Sequence, residues 1–163
     1  MKKLAVVLCN DMHMDIANAN TLLNRIKRCE GYEVVCDYTI ADIVIVITCA
    51  FGPNKMYSVR VIADVRLNSQ KNAKVIVTGC LVNLNKDELD AIPGISVVGF
   101  NELLHGLGEY VYEDDSIIPQ NKVIISEGCL HKCSYCVYPL LSHKYRSKPM
   151  EIILHEVGRM SET

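Results

Sequence analysis

The segment Gly128-Cys129-Leu130-His131-Lys132-Cys133-Ser134-Tyr135-Cys136 sets three cysteines at C-x3-C-x2-C spacing. Thiolates are soft ligands that select zinc, copper(I) or iron–sulfur clusters. Three thiolates this close can hold three irons of a [4Fe–4S] cluster and leave the fourth iron open. An open iron separates a cluster that acts on a bound molecule from a four-cysteine electron carrier. Zinc is the main competitor. Its sites favour paired C-x2-C spacings with two further ligands, and His131 or His143 can supply one. An iron–sulfur site without catalysis is the other competing reading.

Three more cysteines share one structural position. Cys9 follows the apolar run Lys3–Leu8, Cys49 follows Asp42–Thr48, and Cys80 follows Lys74–Thr78 after Gly79. Each is expected at the carboxyl end of a parallel strand, the edge where open α/β sheets build ligand sites. Helix N-termini nearby favour the thiolate, the metal-binding form. Three such thiolates can hold an iron–sulfur cluster or a zinc ion. The competing reading is three small buried apolar residues. Cys29 and Cys36 are expected to be core residues, Cys36 inside a strand.

The elements that must position these thiols alternate. Strands are expected over Lys3–Leu8, Tyr32–Tyr38, Asp42–Thr48, Lys74–Thr78 and Ile95–Val98. Helices are expected over Ile16–Lys27, Asn54–Leu67, Lys86–Ala91 and from Asn101, as cap, to about Tyr110. Asp42–Thr48 is almost purely β-branched, as a strand buried on both faces should be. Strand–helix alternation means βαβ units and a parallel sheet. The expected fold class is α/β: a flavodoxin/Rossmann-like parallel-sheet domain over residues 1–112, then a linker over 113–121 carrying Glu113, Asp114, Asp115 and Pro119. Residues 122–163 form the second part, with a strand at Lys122–Ser126, the cysteine loop, and a helix over Pro149–Met160.

Composition agrees with a packed protein. The 163 residues are 50% hydrophobic and 22% charged, with net charge −2. Disorder is excluded, and the whole chain carries no basic signature of nucleic-acid binding. Eight cysteines are too few for a disulfide scaffold and too many for an ordinary cytosolic core. No apolar run reaches the ~20 residues of a bilayer span. The start, Met1 to Cys9, imitates a lipoprotein signal, but its apolar stretch is short and Leu8 is not small. We expect a cytoplasmic protein without a membrane partner, its cysteines serving metal or redox chemistry.

At this point the residues resemble a family. C-x3-C-x2-C with an aromatic, Tyr135, before the third Cys is the signature of radical S-adenosylmethionine (SAM) enzymes. Ile125-Ser126-Glu127-Gly128, Val137-Tyr138-Pro139 and Arg146-Ser147-Lys148-Pro149 resemble the methylthiotransferase branch. So do Ala41-Asp42 through Thr48-Cys49, Val75 through Gly79-Cys80-Leu81, and Asp15 placed six after Cys9. The chain departs from that branch at Leu8 (Gly in the family), Met12 (Asn), Ile16 (Ser), Ile47 (Asn) and Ser142-His143 (Arg-Gly).

The resemblance implies two [4Fe–4S] clusters. Cys129, Cys133 and Cys136 would hold the one that binds SAM and reduces it to methionine and a 5′-deoxyadenosyl radical. Tyr135 would pack near the adenine. Cys9, Cys49 and Cys80 would hold an auxiliary cluster that activates or supplies sulfur. In the family a methylthio group replaces hydrogen at an unactivated C–H, and a second SAM provides the methyl. An electron donor such as flavodoxin or ferredoxin is the implied redox partner.

The family's substrates are a ribosomal-protein aspartate and tRNA adenosines. Lys144 through Glu151, with Ser126-Glu127-Gly128, leans to the ribosomal-protein branch. From His131 to Lys148 there are four Lys/Arg and no acid, a patch for the SAM carboxylate, an RNA phosphate, or solvent. After Cys136 only 27 residues remain, whereas a full (β/α) barrel takes about 200. We therefore expect a truncated member (a fragment, one half of a split enzyme, or a remnant) that starts a radical SAM barrel with one βα element, the missing remainder of the barrel being a candidate partner. The stripe Ile153, Val157 and Met160 on the last helix would then lie uncovered, and the isolated chain would be poorly soluble.

Overall fold

The computed structural model describes residues 1–9, 13–107, 123, 125–136, 138 and 145–161. It divides into two compact units, Met1–Ile118 and Pro119–Thr163.

In the first unit, strands β1 (Lys2–Leu8), β2 (Tyr32–Val34), β3 (Ile43–Thr48), β4 (Lys74–Gly79) and β5 (Ile95–Val97) alternate with helices α1 (His13–Arg28), α2 (Asn54–Asn68), α3 (Cys80–Asp90) and α4 (Phe100–His105). The strands form one parallel sheet in the order β2-β1-β3-β4-β5. This is the doubly wound flavodoxin-like order, with its topological switch between β1 and β3. The chain winds one way from β1 and the other way from β3. Right-handed crossovers therefore put α1 on one face and α2 and α3 on the other.

Side-chain alternation divides the core to match. Leu4, Ile45, Ile47 and Ile76 pack with Ala19, Leu22 and Ile26 of α1 and Leu104 of α4. Val44, Val46, Val75 and Val77, also buried, alternate onto the opposite face. Burial on both faces is why these strands read as unbroken β-branched runs.

Among the described residues, Arg25 is a charged side chain buried in this core. It is buried, and its Nη1 donates to the Leu104 carbonyl at 2.6 Å. That carbonyl lies in the last turn of α4, the negative end of the helix dipole. Arg25→Ala should lower unfolding stability by about 2–3 kcal/mol, the scale of a charged hydrogen bond. Urea melts check this, and a midpoint equal to the parent's would show the contact is idle.

Several expectations are corrected. The second strand ends at Val34 and not Tyr38. The Asp37 carboxylate takes the Thr39 hydroxyl at 2.7 Å and the Thr39 N–H at 2.9 Å, and so starts a 3-10 turn, Tyr38–Ile40. The same two bonds hold the Asp37 carboxyl below its ordinary range. The helix expected from Lys86 begins at Cys80, because Gly79 turns the chain at once, and it kinks at Asn85. Gly99, not Asn101, occupies the cap of α4. The expected linker and the end of that helix near Tyr110 lie outside the described residues.

In the second unit, β6 (Ser126–Glu127) pairs antiparallel with β7 (Arg146–Ser147), and helix α5 (Met150–Ser161) follows. The strand expected over Lys122–Ser126 begins only at Ser126; Lys122 and Ile124 are outside the described residues. Lys148 Nζ reaches both Glu156 carboxylate oxygens, at 2.6 and 2.7 Å, and ties the chain entering α5 to its second turn. One cation of the His131–Lys148 patch is thus already paired. Val157 is about half exposed, while Ile153 and Met160 are half-buried. Among the described residues no helix is long and apolar enough to cross a membrane.

Candidate metal centre

Register brings three thiols to one edge. Leu8 is level with Ile47, and Ile47 with Thr78; Thr48 is level with Gly79. The ladder runs on past Leu8, where the Cys9 N–H donates to the Ile47 carbonyl at 3.1 Å. Cys9 thus ends β1 level with Thr48 and Gly79, and Cys49 and Cys80 lie one residue further along. The three positions occupy adjacent strands β1, β3 and β4. By ordinary strand spacing they span roughly 10 Å across the sheet. Cys9 and Cys49 flank the switch between β1 and β3, where doubly wound sheets open a crevice.

The surroundings differ for each thiol. Cys9 and Cys49 are fully buried and Cys80 is half-buried. Ser58 of α2 locks the backbone at Cys49: its hydroxyl accepts the Cys49 N–H at 3.0 Å and donates to the Cys49 carbonyl at 2.9 Å. Asn54 Nδ2 donates to Cys49 Sγ at 3.8 Å. Cys80 is the first residue of α3, held by Gly79, whose φ is +101°. Thr48 Oγ1 donates to the Thr78 carbonyl at 2.6 Å just below this edge. Leu8 and Ile47, where the family pattern has Gly and Asn, lie side by side against the core under α1.

In the second unit Gly128, with φ +83°, turns the chain from β6 into the cysteine loop. Cys129, Cys133 and Cys136 are all exposed. Cys129 Sγ accepts the His131 N–H at 3.4 Å, and the Cys136 N–H closes a turn on the Cys133 carbonyl at 3.1 Å. Tyr135 at the tip of that turn is 90% exposed, so its ring face is open to a planar ligand.

Among the described residues no three His, Cys, Asp or Glu side chains are drawn together closely enough to hold a metal ion. The donor chemistry nonetheless suits an iron–sulfur cluster: thiols in triplets, with N–H groups directed at Cys49 and Cys129. Metal binding is coupled to folding, because the ligands are not assembled in the unfolded chain.

Cys29 and Cys36 do not join these edges. Cys29 is half-buried, its thiol directed at the Arg25 and Leu107 carbonyls, at 3.4 and 3.9 Å. Cys36 is exposed and lies beyond β2, so the expected strand-interior position is corrected. The sequence reading missed Asn54 and Ser58. Asn54 was legible only as the start of a helix, and Ser58 carries no sequence signal, because both act through the turn that brings α2 back over Cys49.

The model of the family described as "Uncharacterized protein family UPF0004" matches residues 9–99, more than half of the chain. The chain belongs to this family. UPF0004 is the N-terminal domain of the radical SAM methylthiotransferases, which agrees with the motifs the chain carries. The chain is 31% identical over 151 residues to the ribosomal protein uS12 methylthiotransferase RimO of Stenotrophomonas maltophilia (strain K279a), covering 82% of this chain and 33% of that protein. It is 35% identical over 154 residues to RimO of Pseudomonas putida (strain GB-1), covering 82% and 34%. RimO of Pseudomonas savastanoi pv. phaseolicola is 34% identical over 156 residues, with the same coverage. The UPF0004 chain thus spans about a third of the length of the curated relatives it matches.

Proposed function

We propose that this UPF0004 chain is the cluster-bearing N-terminal part of a radical SAM methylthiotransferase whose substrate is ribosomal protein uS12. One observation carries the reading: Cys9, Cys49 and Cys80 each directly follow one of three adjacent strands, within one residue of a common level. Buried core cysteines have no reason to share a level at the carboxyl edge of a sheet. Ligands to one cluster do.

In this reading Cys9, Cys49 and Cys80 hold an auxiliary [4Fe–4S] cluster, and Cys129, Cys133 and Cys136 hold the SAM-binding one. When bound, the clusters supply electrons to SAM and sulfur to the substrate, with flavodoxin or ferredoxin as the outside reductant. The chain's own residues bind and orient. Cys129, Cys133 and Cys136, all exposed, would hold their cluster where SAM could reach it. Tyr135 offers its face to the adenine. The sheet edge would carry the auxiliary site, where burial of Cys9 and Cys49 keeps bulk water off those thiols. The relatives are about two and a half times as long, and the length beyond the match would supply the rest of the barrel around SAM and the substrate.

The test is an anaerobic assay of the reconstituted chain with SAM, dithionite and uS12. We expect little 5′-deoxyadenosine from the chain alone. Joined to the C-terminal two thirds of the Pseudomonas putida relative, it should both cleave SAM and methylthiolate uS12. A joined enzyme that cleaves SAM but modifies tRNA adenosine would transfer the chain to the other branch. Cluster binding with no SAM cleavage in either form would make it a non-catalytic iron–sulfur module.

A further inference from the structure

Asn54 opens α2 five residues after Cys49, and its amide Nδ2 is directed at the Cys49 sulfur at 3.8 Å. One turn later Ser58, fully buried, spends its hydroxyl on both backbone polar groups of Cys49. The backbone of Cys49 is therefore held in place while its sulfur takes a side-chain N–H. Cys49 itself is only 1% exposed, so bulk water does not compete for that sulfur. A neutral thiol in an apolar core has little use for an amide donor. A metal-bound thiolate does: N–H groups directed at cluster sulfurs stabilise the added electron and raise the reduction potential.

We infer that Asn54 is a positioning residue that raises the potential of the cluster held through Cys49, with Ser58 fixing the ligand's backbone. The inference rests on the proposed auxiliary cluster at Cys9, Cys49 and Cys80 and goes beyond it. It assigns a function to a side chain that reaches the ligand's sulfur and is not itself a ligand.

The test uses the full chain with Cys129, Cys133 and Cys136 all replaced by alanine, so that only the auxiliary cluster remains. Asn54→Leu removes the donor. Asn54→Asp keeps the shape, replaces N–H by oxygen, and suits a helix start, so it should fold even if the leucine variant does not. Iron is counted after anaerobic reconstitution, and the cluster is titrated with dithionite under EPR. Both Asn54 variants should bind the parent's iron. At the potential where half the parent's cluster is reduced, their reduced-to-oxidised ratio should fall at least about threefold, with the aspartate variant lower still. A potential unchanged or raised in the aspartate variant overturns the inference and leaves the auxiliary site standing. A parent that binds no iron removes both.

Discussion

Replacing Cys129, Cys133 and Cys136 together by alanine lowers the iron bound after anaerobic reconstitution from about eight to about four per chain, one [4Fe–4S] cluster's worth. The remaining iron stays with Cys9, Cys49 and Cys80, which belong to a separate compact unit. The two sets also differ in exposure: the loop thiols are open to solvent, while Cys9 and Cys49 are buried. The loop cluster should therefore be the first lost to a chelator, leaving a slower fraction of about half the iron. Zinc in place of iron, or full iron in the triple variant, would overturn the two-cluster reading. The complementary triple alanine variant at Cys9, Cys49 and Cys80 should lose the slow fraction.

Gly79→Ala should cost about 2–6 kcal/mol of unfolding free energy. Two effects add. The backbone of Gly79, φ +101° and ψ −164°, lies in a region that only glycine visits freely, at a cost of about 1–3 kcal/mol for alanine. A Cβ would also stand 2.5 Å from the Thr48 carbonyl oxygen and 2.7 Å from its nitrogen. Those are backbone atoms of the neighbouring central strand, which cannot swing aside, and overpacking adds about 1–3 kcal/mol. Gly31→Ala separates the terms. Its φ is +95°, but nothing lies within 4 Å of the added carbon, so it should cost only about 1 kcal/mol. Equal losses for the two variants in denaturant melts would show that the close approach of β4 to β3 is immaterial. That approach sets Cys80 level with Cys49, so Gly79→Ala should also weaken iron retention at the auxiliary site.

The alternation of elements was legible because parallel strands buried on both faces leave unbroken β-branched runs, as in Ile43–Thr48 and Val75-Ile76-Val77-Thr78. Edges were legible less well. Tyr32–Tyr38 reads as a strand by residue type, yet only Tyr32–Val34 pairs, on a sheet edge where Asp37 can turn the chain with its own side chain. Cys80 reads as the carboxyl end of a strand with the next helix expected only from Lys86, and it is the first residue of that helix, because the Gly79 turn is made by backbone geometry that residue types do not display. Cys36 reads as core and is exposed, because the strand assigned to it stops short.

By itself the sequence determined the fold class, the family and the two triplets of cysteines, since periodicity, spacing and motif are local properties of the chain. Only the tertiary structure decided the strand order, and with it that β1, β3 and β4 are neighbours. That order makes Cys9, Cys49 and Cys80, some seventy residues apart at the extremes, a common edge. It also decided that Ser58 and Asn54 serve Cys49, and that Thr48 leaves room for nothing larger than glycine at position 79. The first pair are contacts through the turn into α2 and the last lies across a crossover; in each the partner's identity depends on where the chain returns, not on residue type.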